Sequence, residues 1–358
     1  MIKKIYIENF RCFDKLIVED LKNFNIIIGK NNIGKTAFLE SVFLHLGAHN
    51  PDLPFKLDSF RGITTLRLKA DSVWSPLFHN LNIKSPIIIR SFDELQRKAT
   101  SEISLSTNTI SKANLKQNPK DYSSAEFTQE LDRLKFEYND VKKNKITSYA
   151  IVDATQTDGT GITYDRPKQS NFQKVMFVST HSPRGMESEA ERLSKLQIIE
   201  RDDIILNALI KLEPRLKGLI IVPISGKSMI YANIIGLDKA IPINYLGEGM
   251  IRFLQILLAL SEAEDGVAII DEIERGFHYN FYEKAINAIY EFAVDFNIQI
   301  ITTTHNQELL AAANKVFVEK YPEELMVIRL DKVNEKIKAT NIDTSKLKIA
   351  FDQGWEIR

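Results

Sequence analysis

The residues best suited to chemistry lie in the stretch GKNNIGKT, residues 29–36. A glycine, four residues, then glycine, lysine and threonine is the spacing of a phosphate-binding loop. Glycines let successive backbone N–H groups turn toward an anion, Lys35 reaches the β- and γ-phosphates, and the Thr36 hydroxyl is placed to ligate Mg²⁺. The pattern therefore predicts a nucleotide bound by the whole loop: Gly29, Lys30, Asn31, Asn32, Ile33, Gly34, Lys35 and Thr36.

Two acidic residues follow an apolar run in GVAIIDEIERGFH, residues 266–278. A buried strand ending in Asp271 and Glu272 presents both carboxylates at its carboxyl end, where α/β sheets bind ligands. We predict that Asp271, together with Thr36, holds Mg²⁺ directly or through water, and that Glu272 orients or deprotonates the attacking water. Many strands end in acidic residues, so this pattern is specific only because a phosphate loop occurs in the same chain.

A third candidate is His305, which ends the apolar run of IQIITTTHNQELL, residues 298–310. One helix, predicted over 280–296, separates this run from the Asp-Glu strand, as between adjacent parallel strands of a βαβ unit. His305 would then lie beside the γ-phosphate, where an imidazole can sense the phosphate and help to place water. A single histidine at a strand end is usually structural, but this placement favours a catalytic role.

Two glycines open the fourth element, NYLGEGMIRFLQILLAL, residues 244–260. This helix is so apolar on all sides that we predict it to be buried. Gly247, Glu248 and Gly249 stand at its N-terminus, where free N–H groups and the helix dipole favour a γ-phosphate. The chain's own phosphate loop already fills that role, so the helix is best explained as serving the nucleotide of a second protomer.

The composition is that of a globular protein with a large core. Of the 358 residues, 44% are hydrophobic and 26% are charged, and no apolar run is long enough to cross a bilayer. Cys12 is the only cysteine, which excludes disulfide frameworks and multi-cysteine zinc sites. Basic and acidic residues number 47 each, so bulk charge predicts no nucleic-acid binding, although a local basic patch stays open. The N-terminal MIKKIYIENF lacks signal-peptide features, so we expect a cytoplasmic protein without a membrane partner.

Periodicity divides the chain into three blocks. Residues 1–60 hold a strand, then the phosphate loop with its flanking strand and helix, and residues 175–358 alternate strands and helices. The block between them, 61–174, is more polar and differs most from the motif-bearing parts. We predict short strands there within the ranges 85–92, 101–108 and 148–156.

Inside the middle block, a capping box from Ser123 to Glu126 predicts a helix that ends near Asn144. Its apolar residues step by four and three: Phe127, Leu131, Leu134, Tyr138 and Val141. They span only about two heptads, so a helix packed on its own domain is favoured over a coiled coil. A long helix is also predicted over 187–211, and a strand over AIPINYL, residues 240–246.

In chain order, the phosphate loop, the glycine-rich helix start, the Asp-Glu strand and the histidine resemble an ABC-type ATPase. With IENFRCF at residues 7–13, LGEGMIRFL and DEIERGFH, the chain resembles the RecF, SMC and overcoming-lysogenization-defect (OLD) group. Within that group it is similar to stand-alone AAA-family ATPases of bacterial defence and repair operons. The resemblance covers about residues 1–50 and 175–315. It implies an α/β P-loop NTPase fold of the RecF and SMC head type, with an antiparallel β-rich and helical insertion.

The resemblance also implies ligands and partners. ATP and Mg²⁺ would be bound, and ATP would join two copies in a head-to-tail homodimer or a higher even oligomer. Arg11 matches an arginine that approaches the nucleotide in such proteins. Transporter subunits carry serine where this chain has Gly247, so backbone would have to contact the γ-phosphate there. Two candidates remain for the glutamine loop of this family: the stretch STHSPR, residues 179–184, and Gln156.

Three functional hypotheses follow. The first is an ATP-driven switch that controls an effector, a nuclease or a toxin, in anti-phage defence, with residues 61–174 choosing the partner. About fifty residues follow His305, too few for a nuclease domain, so we expect the effector chemistry on a separate protein. The second hypothesis is a RecF-like DNA-repair ATPase that binds duplex DNA. The third, a transporter motor, is disfavoured by the missing serine at Gly247.

Overall fold

The computed structural model describes most of the 358 residues, in the ranges 1–61, 74–111, 128–140, 145–153, 161–165, 172–180, 186–224 and 226–354. The first strands are β1 (Ile2–Phe10), β2 (Phe13–Val18), β3 (Phe24–Gly29), β4 (Ile87–Asp93), β5 (Lys98–Ser111), β6 (Thr128–Asn139), β7 (Lys145–Asp153) and β8 (Gly161–Asp165). They are followed by β9 (Val175–Val178), β10 (Leu216–Ile224), β11 (Lys227–Ile234), β12 (Ile241–Pro242), β13 (Val267–Ile270), β14 (Gln299–Thr303), β15 (Leu325–Val333) and β16 (Lys336–Asp343).

In the described part of the chain, the helices pack around three sheets, the smallest of which has the strand order β10-β11-β12. They are α1 (Lys35–Leu46), α2 (Leu53–Phe60), α3 (Met186–Ile198), α4 (Asp202–Ile210), α5 (Glu248–Glu262), α6 (Tyr282–Asp295), α7 (Gln307–Lys320) and α8 (Thr344–Asp352). In the part of the chain that the structure describes, none of them is both long and apolar enough to cross a membrane.

A six-stranded, mostly parallel sheet carries the predicted motifs. Its strand order is β16-β15-β3-β14-β13-β9, and only β16 runs antiparallel to its neighbour. Strand β13, which pairs with β14 and β9, is buried along its whole length, as expected of a parallel strand covered on both faces. The predicted parallel pairing of the Asp-Glu strand with the histidine strand is confirmed. The carboxyl ends of β3, β13 and β14 therefore meet at one edge of the sheet.

A second sheet is antiparallel and seven-stranded, in the order β2-β1-β4-β5-β6-β7-β8. Helix α1, which follows the phosphate loop, lies between this sheet and the parallel one, since its apolar side chains share a core with strands of both. Strand β4 of the middle block pairs directly with β1 of the first block. The polar block and the N-terminal strands thus build one continuous sheet, which covers the phosphate-loop helix.

Corrections to the predicted elements concern three segments. The predicted helix of residues 123–144 is wrong over Thr128–Asn139, which form β6; residues 123–127 and 141–144 lie outside the described part. Strand β6 pairs with β5 on one edge and with β7 on the other. Leu134 and Phe136 are both buried, a spacing of two that a strand satisfies and a helix would split between nearly opposite sides.

The other two differences are smaller. The helix predicted over 187–211 is interrupted, because α3 ends at Ile198 and α4 begins at Asp202, with Glu200 in the left-handed region at φ 55°. The strand predicted over 240–246 pairs with β11 only at β12 and then becomes a 3₁₀ turn, Ile243–Leu246. That turn leads directly into the glycine-rich start of α5.

His45, near the end of α1, ties this helix to the antiparallel sheet. Its Nδ1 lies 2.7 Å from the Ser101 hydroxyl and its Nε2 lies 2.8 Å from the Ser91 hydroxyl. The ring is 1% exposed, and burial lowers its pKa from 6.5 to about 4. His45 is therefore a neutral structural group in the folded protein.

Acidification is expected to destabilise the protein through His45. Its folded-state pKa is depressed, so the unfolded chain binds more protons between pH 6.5 and about 4. The stability contributed by neutral His45 is fully present above pH 6.5 and is lost as the pH falls, by roughly 2 kcal/mol at pH 5. Denaturant unfolding of wild type and His45→Gln at several pH values measures this, because other titrating groups are common to both. A stability difference that does not change with pH would contradict it.

Candidate nucleotide-binding site

The phosphate loop joins β3 to α1, and Gly34 is the residue that allows its tight turn. Gly34 has φ 108°, and a Cβ at this position would lie 2.5 Å from the Cys12 Sγ. A side chain is thus excluded by backbone conformation and by space. Lys35 begins α1, and its Nζ donates to the carbonyls of Gly29 at 2.7 Å and Lys30 at 3.2 Å. The ammonium group therefore lies over the loop, and burial lowers its pKa against the opposing effect of Glu272.

Thr36 and Asp271 lie side by side at the carboxyl edge of the parallel sheet. The Thr36 Oγ1 is 3.3 Å from each carboxylate oxygen of Asp271. Two threonines orient this carboxylate: Thr303 donates to Oδ1 at 2.7 Å and Thr180 donates to Oδ2 at 3.3 Å. A hydroxyl beside a carboxylate is the hard oxygen donor set that Mg²⁺ prefers. These residues therefore fit the predicted metal site.

Glu272 follows Asp271 in a strained conformation. Its φ is 48°, in the left-handed region that a residue with a side chain seldom adopts. Its backbone N–H donates to the Thr303 hydroxyl at 2.8 Å, which holds the turn. The side chain is 41% exposed and lines the cavity above the phosphate loop. Strained residues that are held by their surroundings concentrate at functional sites.

His305 reaches the same place from the end of β14. Its Nδ1 lies 3.1 Å from the Glu274 Oε1 and 3.6 Å from the Glu272 Oε1. Its side chain is 58% exposed and lines the cavity together with Lys35. The structure thus brings the predicted histidine to the predicted carboxylate and to the phosphate loop.

One cavity unites these groups. Its volume is about 1030 Å³, at the upper end of the roughly 300–1,000 Å³ of ligand pockets. Its charged and polar wall consists of Arg11, Asn31, Asn32, Lys35, Thr36, Glu40, Arg61, Asn80, Ser179, Thr180, Asp271, Glu272 and His305, and Cys12, Gly34 and apolar side chains complete the lining. Positive and negative groups are both present, as a site for a triphosphate with a metal ion requires.

Two arginines share one buried carboxylate beside this cavity. Glu40 is 1% exposed, and its carboxylate contacts the Arg11 Nε at 2.6 Å and the Arg61 Nε at 2.8 Å. Burial lowers the pKa of Arg11, against the opposing effect of Glu40. The Arg11 Nη2 is buried without a hydrogen-bond partner among the described residues, so a donor remains for a ligand.

The start of α5 lies apart from this cavity. Gly247, Glu248 and Gly249 are not among the described residues that line it. Gly247 has φ 96°, and no atom of a described residue lies within 4 Å of where its Cβ would be. A Cβ on Gly249 would instead lie 2.8 Å from the Gly276 carbonyl oxygen, so this glycine permits the helix to approach the turn after β13. Within one chain, the structure does not bring the glycine-rich segment to the phosphate loop.

Several residues at the site were missed by the sequence analysis. Arg252, 8% exposed on the buried helix α5, donates to the backbone carbonyls of Ser179 at 3.2 Å and Asp271 at 3.0 Å. It thereby fixes the ends of β9 and β13, and burial lowers its pKa to about 10. A charged residue in an otherwise apolar helix was the available signal. Glu40, Arg61, Thr303 and Glu274 had no such signal.

Of the two candidates for the glutamine loop, only part of the first lies among the described residues. Ser179 and Thr180 line the cavity at the end of β9, next to Asp271. Residues 181–184 and Gln156 lie outside the described residues. The described part of the first candidate therefore lies at the cavity, where the Thr180 hydroxyl donates to Asp271.

Comparisons with known proteins agree with this geometry. A family model described as AAA ATPase domain matches residues 1–310. A Helicobacter pylori protein named ATP/GTP phosphatase is 23% identical over 350 residues, covering 89% of each chain. An uncharacterized protein of Methanocaldococcus jannaschii is 48% identical over 48 residues, 13% of this chain and 22% of that protein.

Among solved structures, an SMC head bound to the C-winged helix domain of ScpA superposes with a TM-score of 0.51. It is 13% identical in sequence, and the match covers 97% of this chain and 99% of that one. The predicted fold class, an α/β P-loop NTPase of the ABC type that resembles the RecF and SMC head domains, is confirmed. From its sequence match and its fold, the chain belongs to the AAA ATPase domain family.

Proposed function

We propose that the protein binds and hydrolyses ATP. The observation that carries this proposal is the single cavity in which Lys35, Thr36, Asp271, Glu272 and His305 meet. The name of the Helicobacter pylori relative, an ATP/GTP phosphatase, supports the reaction and makes GTP the competing substrate to be tested. The buried Nη2 of Arg11, which has no hydrogen-bond partner among the described residues, adds a donor that suits a nucleotide.

The proposed reaction divides the work among the cavity's residues. Lys35 neutralises the β- and γ-phosphates, and Glu272 accepts a proton from the attacking water. Thr36 and Asp271 would hold Mg²⁺, which when bound supplies charge neutralisation at the phosphates. His305, whose Nδ1 lies 3.6 Å from Glu272, orients water or phosphate beside this carboxylate. The strained backbone of Glu272, with φ 48°, favours this assignment, because strained residues concentrate at functional sites.

The test of hydrolysis is phosphate release from ATP and, separately, from GTP by the purified protein. We expect release from ATP that requires a divalent cation and disappears when EDTA removes it. Absence of release from both nucleotides, with the protein folded and nucleotide bound, would refute the proposed reaction. Release from GTP alone would change the substrate but keep the site.

We also propose that ATP joins two copies head to tail. Gly247, at the start of α5, is exposed, and the neighbouring Tyr245 is 79% exposed. These residues stand outside the cavity of their own chain but have the helix N-terminus that suits a γ-phosphate. Two-fold symmetry would satisfy both elements in two equivalent sites.

Bulk at Gly247 is expected to block this dimer. Gly249→Arg is a poor test, because a Cβ there already presses on the chain's own Gly276 carbonyl. Gly247 has open space instead, although φ 96° strains any replacement. Gly247→Leu and Gly247→Ala share that strain and differ only in bulk toward a neighbour. Light scattering with ATP should show dimer loss that is greater for leucine than for alanine, with equal ATP binding by the two monomers.

Two outcomes would count against the dimer. One is ATP-driven dimerisation and hydrolysis by Gly247→Leu at the level of Gly247→Ala. The other is a wild-type protein that stays monomeric with ATP while it hydrolyses at full rate. A second check measures hydrolysis by a mixture of Gly247→Leu and Lys35→Ala. A mixed dimer holds one site with both defects and one site with neither, so partial hydrolysis should return if the two sites work independently.

The biological role that we propose is a switch controlling a separate effector, a nuclease or toxin, in anti-phage defence. Its support is the resemblance of the motifs to stand-alone defence ATPases, with residues 61–174 as the region that selects the partner. Binding of duplex DNA is the alternative. On the antiparallel sheet, three lysines are paired with acids, Lys3–Glu94, Lys4–Glu19 and Lys135–Glu137, which does not favour a basic patch there. Copurification from cells with the protein trapped on ATP tests the effector.

A further inference from the structure

Glu274 is a buried carboxylate that the proposed reaction does not use. It is 6% exposed and lies in the turn after β13, three residues beyond Asp271. Its Oε1 accepts a hydrogen bond from the His305 backbone N–H at 3.1 Å and lies 3.1 Å from the His305 Nδ1. Its Oε2 is buried without a hydrogen-bond partner among the described residues.

A buried carboxylate requires compensation by donors or cations. Among the described residues, Glu274 has two contacts within hydrogen-bond distance, and both are to His305, through its backbone and its ring. Lys35 and Arg252 are near enough for an electrostatic interaction with Glu274, which raises the pKa of each against the larger, opposite effect of burial. The carboxylate is thus directed at the histidine.

Two carboxylates face the same ring nitrogen. The His305 Nδ1 is 3.1 Å from Glu274 and 3.6 Å from Glu272. Hydrogen bonds between nitrogen and oxygen extend to about 3.2 Å, so of the two carboxylates only Glu274 lies near enough to accept an Nδ1 hydrogen. A hydrogen bond at one imidazole nitrogen fixes the role of the other, so the Nε2 is left for the cavity that His305 lines.

We propose that Glu274 is a positioning residue that holds His305 by its Nδ1 and thereby keeps the ring away from Glu272. Glu272 then has a free carboxylate for the proton of the attacking water, while the His305 Nε2 faces the nucleotide. Without Glu274, the Nδ1–H turns to Glu272 and occupies the proposed base. The inference rests on the proposed hydrolysis of ATP.

A purely structural role for Glu274 predicts a different result. The bond to the His305 backbone could simply tie the turn after β13 to the end of β14. Loss of that bond would lower the melting temperature, and it would lower kcat equally whether His305 or alanine stands at position 305. The coupling between Glu274 and the His305 ring therefore separates the two roles.

The experiment is a double-mutant cycle on phosphate release. Glu274→Ala is expected to lower kcat by about 10-fold or more. His305→Ala should lower kcat as well, and the double variant should be no slower than the slower single variant, because no ring is left to occupy Glu272. ATP binding should stay within about threefold of wild type in all three. Effects on kcat that multiply would overturn the proposal.

Glu274→Gln supplies the conservative rescue. Glutamine keeps the acceptor oxygen for both contacts of His305, so kcat should return to within about threefold of wild type. A Gln variant as slow as the Ala variant would overturn the positioning role. Glu283→Ala, an exposed acid on α6, controls for the loss of a surface charge.

The outcomes also separate this inference from the proposed function. A wild-type protein that releases no phosphate refutes the hydrolysis itself. Normal release by wild type, strong loss in Glu272→Gln and normal kcat in Glu274→Ala would refute only the role of Glu274.

Discussion

Replacement of Glu272 by glutamine is expected to leave ATP bound and almost unhydrolysed. Glutamine preserves the shape and one acceptor oxygen but removes the negative charge that attracts a proton. The backbone at φ 48° and the bond to Thr303 do not depend on the charge, so the turn should persist. Loss of a general base lowers turnover by roughly 10²–10⁴-fold. Single-turnover phosphate release and filter binding of ATP measure the two effects separately.

The same variant should accumulate the closed dimer. If hydrolysis opens the dimer, trapped ATP keeps it closed, and light scattering should give twice the monomer mass or an even multiple. Glu283→Gln is the matched control, because it makes the same chemical change on an exposed acid that pairs with Lys315. Turnover of Glu272→Gln within about threefold of wild type would show that another group is the base.

The fold was predictable where local sequence pattern and burial agree. Strands β13 and β14 are buried along their whole lengths, and the helix between them forces the parallel crossover. Strand β6 was missed because its Leu134 and Tyr138 also match helical spacing, and its partners β5 and β7 are chosen by long-range pairing. Pairing of β4 with β1 likewise joins distant segments, which periodicity within either cannot reveal.

The site also combines residues that a local sequence pattern predicts with residues that only long-range contacts reveal. Lys35 and Thr36 follow from a motif within eight residues, and Asp271 from a strand end. Arg252 and Glu274 act through partners elsewhere in the chain, namely the carbonyl of Ser179 and the ring of His305. No spacing rule reports such contacts, because they depend on how strands are ordered in the sheet. The glycine-rich segment is the reverse case: its role toward a second copy stays a prediction.

Replacement of Lys35 by alanine is expected to weaken ATP binding by about 100-fold or more, because charge-assisted hydrogen bonds to phosphate contribute roughly 1.5–3 kcal/mol each. In the structure, its Nζ is held over the loop by the carbonyls of Gly29 and Lys30. The ammonium is therefore placed for an anion in the loop. Isothermal titration with ATP in the presence of Mg²⁺ measures the loss, and phosphate release should disappear with it.

Lys30→Ala is the matched control for this prediction. It removes the same charge from the same loop, but the Lys30 side chain is exposed and is not among the described residues that line the cavity. A general electrostatic effect of the loop would weaken binding similarly in both variants, whereas a direct contact with phosphate would spare Lys30→Ala. Unchanged affinity of Lys35→Ala would exclude this loop as the nucleotide site. Lys35 begins the helix whose N-terminus lies at the cavity, whereas Lys30 precedes it in the loop. Equal losses of affinity in both variants would therefore show that the charge of the loop, and not the position of Lys35, is the source of binding.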